Sequence, residues 1–168
     1  MTATATLTLC QADYANPQHM RALLDLLDGY ARDPMGGAEP LSDFARANLP
    51  QALAARPFMF SVLAFDESQG KLPVGLVNCV EGFSTFACQP LVNVHDVVVL
   101  ASRRGQRVAE QMLTLVEQLA RARGACKLTL EVLEGNASAQ KLYRRLGFDN
   151  YQLDPAMGQA QFMQKWLE

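Results

Sequence analysis

Apolar residues recur along this chain at two spacings, about 3.6 residues in some segments and two residues in others. The first spacing is typical of amphipathic helices, and the second of strands that bury one face. Helical spacing is found in four segments, residues 17–30, 42–55, 105–123 and 136–146. Strand spacing is found in residues 6–11, 58–65, 74–83, 91–100 and 127–133, and two further short strands are predicted near residue 151 and over residues 162–167.

The order of these segments predicts the fold class. Two strands joined by a short turn-rich segment favour an antiparallel hairpin, whereas a helix between two strands favours a crossover. The chain contains both arrangements, which predicts an α/β (α+β) fold: a mixed, mostly antiparallel central sheet of about seven strands with helices on both faces. A length of 168 residues without a linker-like tract predicts that residues 1–168 form a single domain.

Composition narrows the class of protein. Hydrophobic residues make up 49% and charged residues 19%, which is ordinary for a globular chain and too apolar for a disordered one. The formal charge of −2 offers no basic field for a nucleic-acid backbone, so nucleic acid is not an expected partner. No apolar run approaches the roughly 20 residues of a membrane-spanning helix, and residues 1–8 lack the features of a signal peptide. We therefore expect a soluble, cytoplasmic protein that does not bind a membrane.

The cysteines do not indicate a metal site or a disulfide framework. The four are Cys10, Cys79, Cys88 and Cys126. No two of them form a C-x-x-C pair, and their spacing does not suit a zinc ribbon. Small hydrophobic thiols in a reducing compartment, without a metal, are the expected interpretation.

The segment over residues 136–148, N-A-S-A-Q-K-L-Y-R-R-L-G-F, is the most informative part of the sequence. Asn136 is a good N-cap, because its side-chain oxygen can accept a backbone N–H of the first turn. One apolar face follows, formed by Ala139, Leu142, Tyr143 and Leu146. Gly147 suits the left-handed position after a helix, and Phe148 then re-enters a sheet or core.

A second informative segment joins the valine-rich strand to the next helix. Gly105 lies between Arg104 and the pair Gln106-Arg107 at the predicted helix start. A helix N-terminus has unpaired N–H groups and a partial positive charge, and a glycine lets a phosphate approach the backbone closely. Arginines can pair with the same phosphate. A glycine and arginines at a helix start occur in many proteins, so this segment alone does not indicate a phosphate site.

Together the two segments resemble the GNAT superfamily of N-acetyltransferases. In that family a pyrophosphate loop R-G-x-G-[IV]-[GA] opens a long helix, and further along comes a strand L-x-L-E-V followed by N-x-x-A-x-x-L-Y-x-x-x-G-F. Residues 128–132 read L-T-L-E-V, and residues 136–148 match the last motif at every defined position. The resemblance is strong over residues 91–150 and limited to the order of elements over residues 1–90. It implies a GNAT-like sheet and an N-acetyltransferase that uses acetyl-CoA as acetyl donor, without a metal.

The resemblance also implies a role for each matching residue. Backbone groups of Val97, Val98 and Val99 would pair with the pantetheine arm of the cofactor as an added strand does. Asn136 would hydrogen-bond the cofactor near the same arm. Tyr143 would protonate the departing CoA thiolate as general acid, since a phenol is protonated at neutral pH. The pyrophosphate would be held by the amides of Arg104, Gly105, Gln106, Arg107, Val108 and Ala109.

The sequence departs from the family pattern within the pyrophosphate loop. Arg107 replaces the usual second glycine, and Ser102 replaces the usual Gln or Arg two residues before Arg104. If position 107 needs a positive φ, the arginine lowers stability or cofactor affinity. If its φ is helical, the arginine is sterically harmless and its guanidinium adds a phosphate contact. We favour the helical φ, because the helix N-terminus is otherwise intact.

The general base stays open among three candidates, His95, Asp96 and Glu81. An imidazole titrates near neutrality, and carboxylates at strand positions can also accept a proton from an amine. Strict alternation along the strand places His95 with Asn93 on one face and Asp96 on the other, so that His95 and Asp96 cannot form a simple pair.

The acceptor is expected to be an amine, either a small molecule or a peptide. Residues 31–41 and 81–90 are the predicted walls of its cleft, and Asp33, Glu39 and Glu81 would give an acidic lining that suits a cation. Because GNAT-like chains often pair, a homodimer is one expected assembly.

Two other function classes compete with the enzyme. One is a catalytically silent module that binds or senses acyl-CoA, which the replacement at Arg107 and the unassigned base leave open. The other is a protein-interaction scaffold that presents the aromatic connector containing Phe83 and Phe86. The intact Tyr143 favours the enzyme.

Overall fold

The computed structural model describes residues 6–167, which divide into two compact units, the first ending at Leu130 and the second beginning at Glu131. The strands of the first unit are β1 (Leu7–Gln11), β2 (Met59–Asp66), β3 (Leu72–Ser84), β4 (Gln89–Val99) and β5 (Leu128–Leu130). Its α-helices are α1 (Pro17–Ala31), α2 (Asp43–Ala54) and α3 (Val108–Ala122). The second unit contains α4 (Ala137–Arg145).

The five strands form one mixed sheet in the order β1-β2-β3-β4-β5. The first four are antiparallel to their neighbours, because β2, β3 and β4 are joined by short turns. β5 lies parallel to β4, since α3 carries the chain back across the sheet between them. The predicted class, a mixed and mostly antiparallel sheet with helices on both faces, is confirmed.

The predicted number of seven strands is wrong for the part of the chain that the structure describes. Residues 151 and 162–167 form no strand, and Pro155–Met157 is a short 3₁₀ turn between them. Tyr151 and Phe162 are 59% and 73% exposed. Alternating apolar residues favour a strand only where a neighbouring strand and a core receive them, which the alternation itself does not reveal.

Helices cover both faces of the sheet. On one face α1 packs through Leu23 and Leu26 against Leu63 of β2, Leu76 of β3 and Val98 of β4. On the other face α3 lies against Gly75 of β3. A Cβ at that glycine would come within 2.7 Å of the Met112 side chain, so the missing side chain allows α3 to pack closely. Full burial of one such leucine is worth about 1.5–3 kcal/mol, so this layered core holds the sheet rigid beneath the site.

Candidate active site

A β-bulge interrupts the pairing of β4 with β3. Asn78 lies opposite Asp96 and Cys79 lies opposite Val94, so His95 is an extra residue in β4 without a residue opposite. A bulge of this kind re-aims side chains and is frequent beside active sites. It also changes the alternation of β4, because Asp96 now shares a face with Asn93 and Val98. The face assignment predicted from strict alternation, which grouped His95 and Val97 with Asn93, is therefore wrong.

The pairing of β4 with β5 stops just before the bulge. Only Val92, Asn93 and Val94 have partners in β5, whereas β4 continues to Val99. Within the first unit, Val97, Val98 and Val99 thus pair with β3 on one side and with no strand on the other. Backbone groups along such an edge can pair with an extended ligand, and the Val99 carbonyl already accepts a hydrogen bond from Arg104 Nε over 3.4 Å.

A chain of buried polar side chains ends at Asp96. The Asn78 side-chain amide donates to Asp96 Oδ2 over 3.0 Å, and the Ser61 hydroxyl donates to Asn78 Oδ1 over 2.6 Å. The Tyr14 hydroxyl lies 2.8 Å from Ser61 Oγ. A serine hydroxyl has one proton, and here that proton is given to Asn78, so Tyr14 is the donor to Ser61. The hydrogen bonds thus all run one way: Tyr14 donates to Ser61, Ser61 to Asn78, and Asn78 to Asp96.

Sequence reasoning missed Tyr14, Ser61 and Asn78 as members of the site. Ser61 and Asn78 are both buried among apolar neighbours, in the stretches M-F-S-V-L and L-V-N-C-V. The available signal was a polar residue at an inward position of an apolar strand, since buried polar groups are normally hydrogen-bonded and require an explanation.

The end of α1 and the loop after it bring further groups toward Asp96. Burial raises the pKa of the Tyr30 phenol, and the negative charges of Asp96 and Asp33 raise it further. Asp33 pairs with Arg104 of the loop before α3 at 2.9 Å. The backbone amide of Met35 lowers the pKa of Asp33, and the hydrogen bond from Arg104 lowers it further. One ion pair therefore connects the predicted acceptor loop with the predicted pyrophosphate loop.

Glu81 lies on the other face of the sheet from Asn78 and Asp96. Its carboxylate pairs with Arg123 at 3.1 Å, at the C-terminal end of α3. The Arg123 guanidinium also lies 4.3 Å above the Phe60 ring. The structure thus separates Glu81 from Asp96, and it places His95 as the exposed bulge residue that precedes Asp96 in β4.

A buried ion pair holds the residue that precedes the loop over residues 104–107. Asp66, which is fully buried at the end of β2, forms an ion pair with Arg103. Hydrogen bonding by Ser68 lowers the pKa of Asp66 despite burial, and Arg103 lowers it further. The next residues, Arg104 to Arg107, are consequently held at the start of α3.

The backbone of this loop is left-handed at two positions. Gly105 has φ +76°, and the side of its Cα where a side chain would project is open. Arg107 has φ +59° and ψ +22°, so the favoured helical φ at this residue is wrong. The chain must turn from extended Arg104 into the first residue of α3, Val108, within three residues, and a left-handed residue makes that turn. Position 107 therefore has a conformation that favours glycine.

The first turn of α3 lacks a side-chain cap. Asn16, Ser42 and Asn136 cap α1, α2 and α4 with side-chain oxygens, as the sequence predicts. Arg107 has no acceptor to offer and makes no such bond. Among the four α-helices within residues 6–167, α3 is thus the one whose N-cap side chain offers no acceptor to the first turn, and a bound anion would supply one.

The second unit forms the predicted capped helix. Asn136 Oδ1 accepts the Ala139 amide at 3.1 Å, and Gly147 has φ +89° just after the helix. Tyr143 is 9% exposed, and the Phe148 ring meets its ring edge-on at a centroid distance of 5.9 Å. The local structure of this motif is confirmed, while the cofactor-binding and acid roles of Asn136 and Tyr143 stay predictions.

Among residues 6–167, no group of three or more His, Cys, Asp or Glu side chains is arranged to hold a metal ion. Within the same range, none of the helices has the length and apolar character that crossing a membrane requires.

Comparison with known sequences gives a family match. A sequence model of the Acetyltransferase (GNAT) family matches residues 20–148. Streptothricin acetyltransferase of Streptomyces lavendulae is 32% identical over 97 residues, which cover 56% of this chain and 51% of that protein. L-methionine sulfoximine/L-methionine sulfone acetyltransferase of Pseudomonas aeruginosa is 34% identical over 74 residues, which cover 44% and 42%. The matched region thus spans about half the length of these relatives.

Comparison with solved structures supports the fold. A probable acetyltransferase superposes with a TM-score of 0.79 over 96% of this chain and 99% of its own, at 22% identity. Aminoglycoside N-acetyltransferase AAC(6')-Iy, solved in complex with CoA, superposes with a TM-score of 0.71 over 98% of both chains, at 17% identity. At these identities the likeness is one of fold.

Proposed function

Since this chain belongs to the GNAT family of acetyltransferases, we propose that it transfers the acetyl group of acetyl-CoA directly to a primary amine. The observation that carries the proposal is the uncapped start of α3 behind Gly105, in the motif that the family uses for the cofactor. A pyrophosphate there would supply the missing acceptors to the first-turn N–H groups and would interact favourably with the helix dipole.

The residues around the loop fit the rest of the cofactor. The amides over residues 104–109 would hold the pyrophosphate, and the guanidinium groups of Arg104 and Arg107 are within the same short segment to add charge. The free side of Val97–Val99 suits the amide groups of a pantetheine arm, which can pair with it as a strand would. Asn136 is the proposed partner of the same arm. When bound, acetyl-CoA supplies an acetyl group activated as a thioester.

Asp96 is the proposed general base. Its carboxylate lies at the bulge, is half-buried, and is held by the Asn78 amide. Glu81 is occupied by Arg123 on the opposite face, and His95 projects from the bulge toward solvent. In the reaction the amine nitrogen forms a bond to the acetyl carbonyl carbon and the bond from that carbon to sulphur breaks. Asp96 takes the proton that the amine loses, and Tyr143 gives its proton to the sulphur.

The acceptor is proposed to be a cationic small-molecule amine. The carboxylates of Asp96 and Asp33 both act electrostatically on Tyr30 at the end of α1, and such acidic groups favour a cation. The acetyltransferases that this chain resembles in sequence act, by their names, on streptothricin and on L-methionine sulfoximine or sulfone. A peptide amine is the second candidate class, because the exposed loop over residues 34–40 would also admit a chain end.

Cofactor binding and turnover test the proposal in one set of experiments. Acetyl-CoA at about 100 times its Kd should stabilise the protein by roughly 2.7 kcal/mol. For a chain of this size that raises Tm by about 5–10 °C. Release of the CoA thiol is then followed with a panel of small amines and peptides. Tyr143→Phe should keep the Tm shift and lose most of the rate.

The alternatives give different results in the same experiments. A sensing module shows the Tm shift and no thiol release with any amine. A scaffold that binds a partner through Phe83 and Phe86, which are both exposed, shows neither effect. Either result would refute the proposed enzyme.

A further inference from the structure

The polar chain that ends at Asp96 crosses a face of the sheet that is otherwise apolar. Ser61 lies between Met59 and Leu63 on β2, and Asn78 follows Leu76 on the same face of β3. Asn78 is 5% exposed and Ser61 is fully buried. Leucine has the same branching at Cγ as asparagine and would pack next to Leu76 without needing hydrogen-bond partners. The amide at position 78 therefore calls for an explanation beyond packing.

The direction of the hydrogen bonds supplies that explanation. Ser61 donates to the amide oxygen of Asn78, and Tyr14 donates to Ser61. With its oxygen occupied from one side, the amide presents its NH₂ group toward β4, where Asp96 Oδ2 accepts it. Tyr14 and Ser61 thus determine which end of the amide faces the carboxylate.

A donor in this position favours the charged form of a carboxylate and restricts its rotation. From these contacts we propose that Asn78, oriented by Ser61 and Tyr14, is a positioning residue that holds the Asp96 carboxylate in a fixed orientation in which it can accept a proton. The proposal rests on the proposed function, in which Asp96 is the base. Asn78 acts through Asp96 and need not contact a substrate.

Other titratable groups lie in the elements around Asp96, and any of them that changed charge would contribute to the same pH profile. His95 adjoins it in β4, Cys79 lies in β3, and Tyr30 and Asp33 lie at the end of α1 and in the following loop. Burial raises the pKa of Cys79 to about 12, with Arg123 opposing and Asp96 adding to the rise. The pKa of Tyr30 is raised and that of Asp33 is lowered, so neither changes charge between pH 5 and 8. His95→Gln is therefore included as a background in which the remaining imidazole is removed.

The first test is the pH dependence of kcat/KM in Asn78→Leu. Loss of the donor should move the acid limb of the profile to higher pH by about one unit, which is a tenfold change in proton affinity. Well below the wild-type midpoint of this limb the rate should fall about tenfold, on the plateau above it the rate should fall much less, and the Kd for acetyl-CoA should stay within about threefold of the wild-type value. An equal loss of rate at every pH would overturn the positioning role, because it indicates general damage.

A double-mutant cycle separates this inference from the assignment of the base. If Asn78 acts through Asp96, Asn78→Leu should have no further effect on kcat in the Asp96→Asn background. Additive losses would overturn the inference while leaving Asp96 as the base. A wild-type rate in Asp96→Asn would overturn both. Ser61→Ala, a small change that frees the Asn78 amide to rotate, serves as a second variant if Asn78→Leu does not fold, and should move the acid limb in the same direction by a smaller amount.

The effect of Asn78 on Asp96 can also be measured by NMR, without acetyl transfer. The carboxyl carbon of Asp96 is followed by NMR of protein labelled with ¹³C-aspartate, and is assigned by its absence in Asp96→Asn. Its titration midpoint should be about one pH unit higher in Asn78→Leu than in the wild-type protein. An unchanged midpoint would overturn the inference whatever the activity.

Discussion

Arg107→Gly is expected to stabilise this protein. Arg107 has φ +59°, and a left-handed conformation costs a residue with a Cβ about 1–2 kcal/mol. Glycine removes that cost in the folded state but gives back roughly 0.5–1 kcal/mol through its greater freedom in the unfolded chain. The net gain is therefore about 0.5–1 kcal/mol. For a chain of this length it corresponds to a rise in Tm of about 1–4 °C.

Urea unfolding of three proteins measures this gain. The wild-type protein, Arg107→Gly and Arg107→Ala are compared, since alanine removes the guanidinium but keeps the Cβ and its strain. We expect a higher midpoint with an unchanged slope for the glycine variant and no gain for the alanine variant. If both variants gain equally, charge at position 107 and not backbone conformation is responsible, and the reasoning is refuted.

The same pair of variants reports on cofactor binding. Both lack the guanidinium, so a contact between Arg107 and a phosphate predicts that both bind acetyl-CoA about three to ten times more weakly than wild type. Calorimetric titration measures the Kd values. Wild-type affinity in both variants would show that only the backbone of this residue serves the cofactor.

Three further predictions concern the surroundings of the site. Asp33→Asn removes a carboxylate that competes for Arg104, so the Kd for acetyl-CoA should fall about twofold to fivefold at low salt and the difference should fade at high salt, measured by calorimetry. The pKa of Asp66 is lowered in the folded state, so its carboxylate contributes stability that is present above about pH 4 and is lost as pH falls through the folded-state pKa. The difference in the free energy of unfolding between wild type and Asp66→Asn, measured with urea, should therefore shrink below about pH 4. A difference that does not depend on pH would contradict this account. Asn136→Ala removes the cap of α4 and should lower stability by about 0.5–2 kcal/mol in urea unfolding, whereas Asn136→Ser should restore most of it.

Local patterns were sufficient to predict the helices and the antiparallel strands. Asn16, Ser42 and Asn136 each cap the helix that the apolar spacing predicts, because capping involves residues only two or three positions apart. The motif around Tyr143 was predictable for the same reason. The last two strands were predicted wrongly, because a strand depends on a neighbour that a local pattern does not contain.

The parts of the site that the sequence did not reveal depend on register. His95 is an extra residue in β4, but the run V-N-V-H-D-V-V-V has valine and polar residues on both faces, so alternation gives no sign of a bulge. Ser61 and Asn78 are 17 residues apart and meet only because β2 and β3 pair in one particular register. The positive φ at Arg107 follows from the turn that the loop must make. An arginine seldom adopts a positive φ, so the residue type at this position gave no indication of it.

The bulge at His95 bears on how insertions and deletions are tolerated in this chain. Deleting that single residue would let β4 pair evenly with β3 without changing the partner of any other residue, because Val94 would stay opposite Cys79 and Asp96 opposite Asn78. Asp96 would therefore still share a face with Asn93. The deletion would remove the local bend and twist that the bulge gives to β4, so its effect on the site would come from the direction of the Asp96 side chain and not from a change of face. An alignment with a chain that lacks the bulge needs a gap at His95, since without one all residues on one side of this point would be equated with residues of the opposite face.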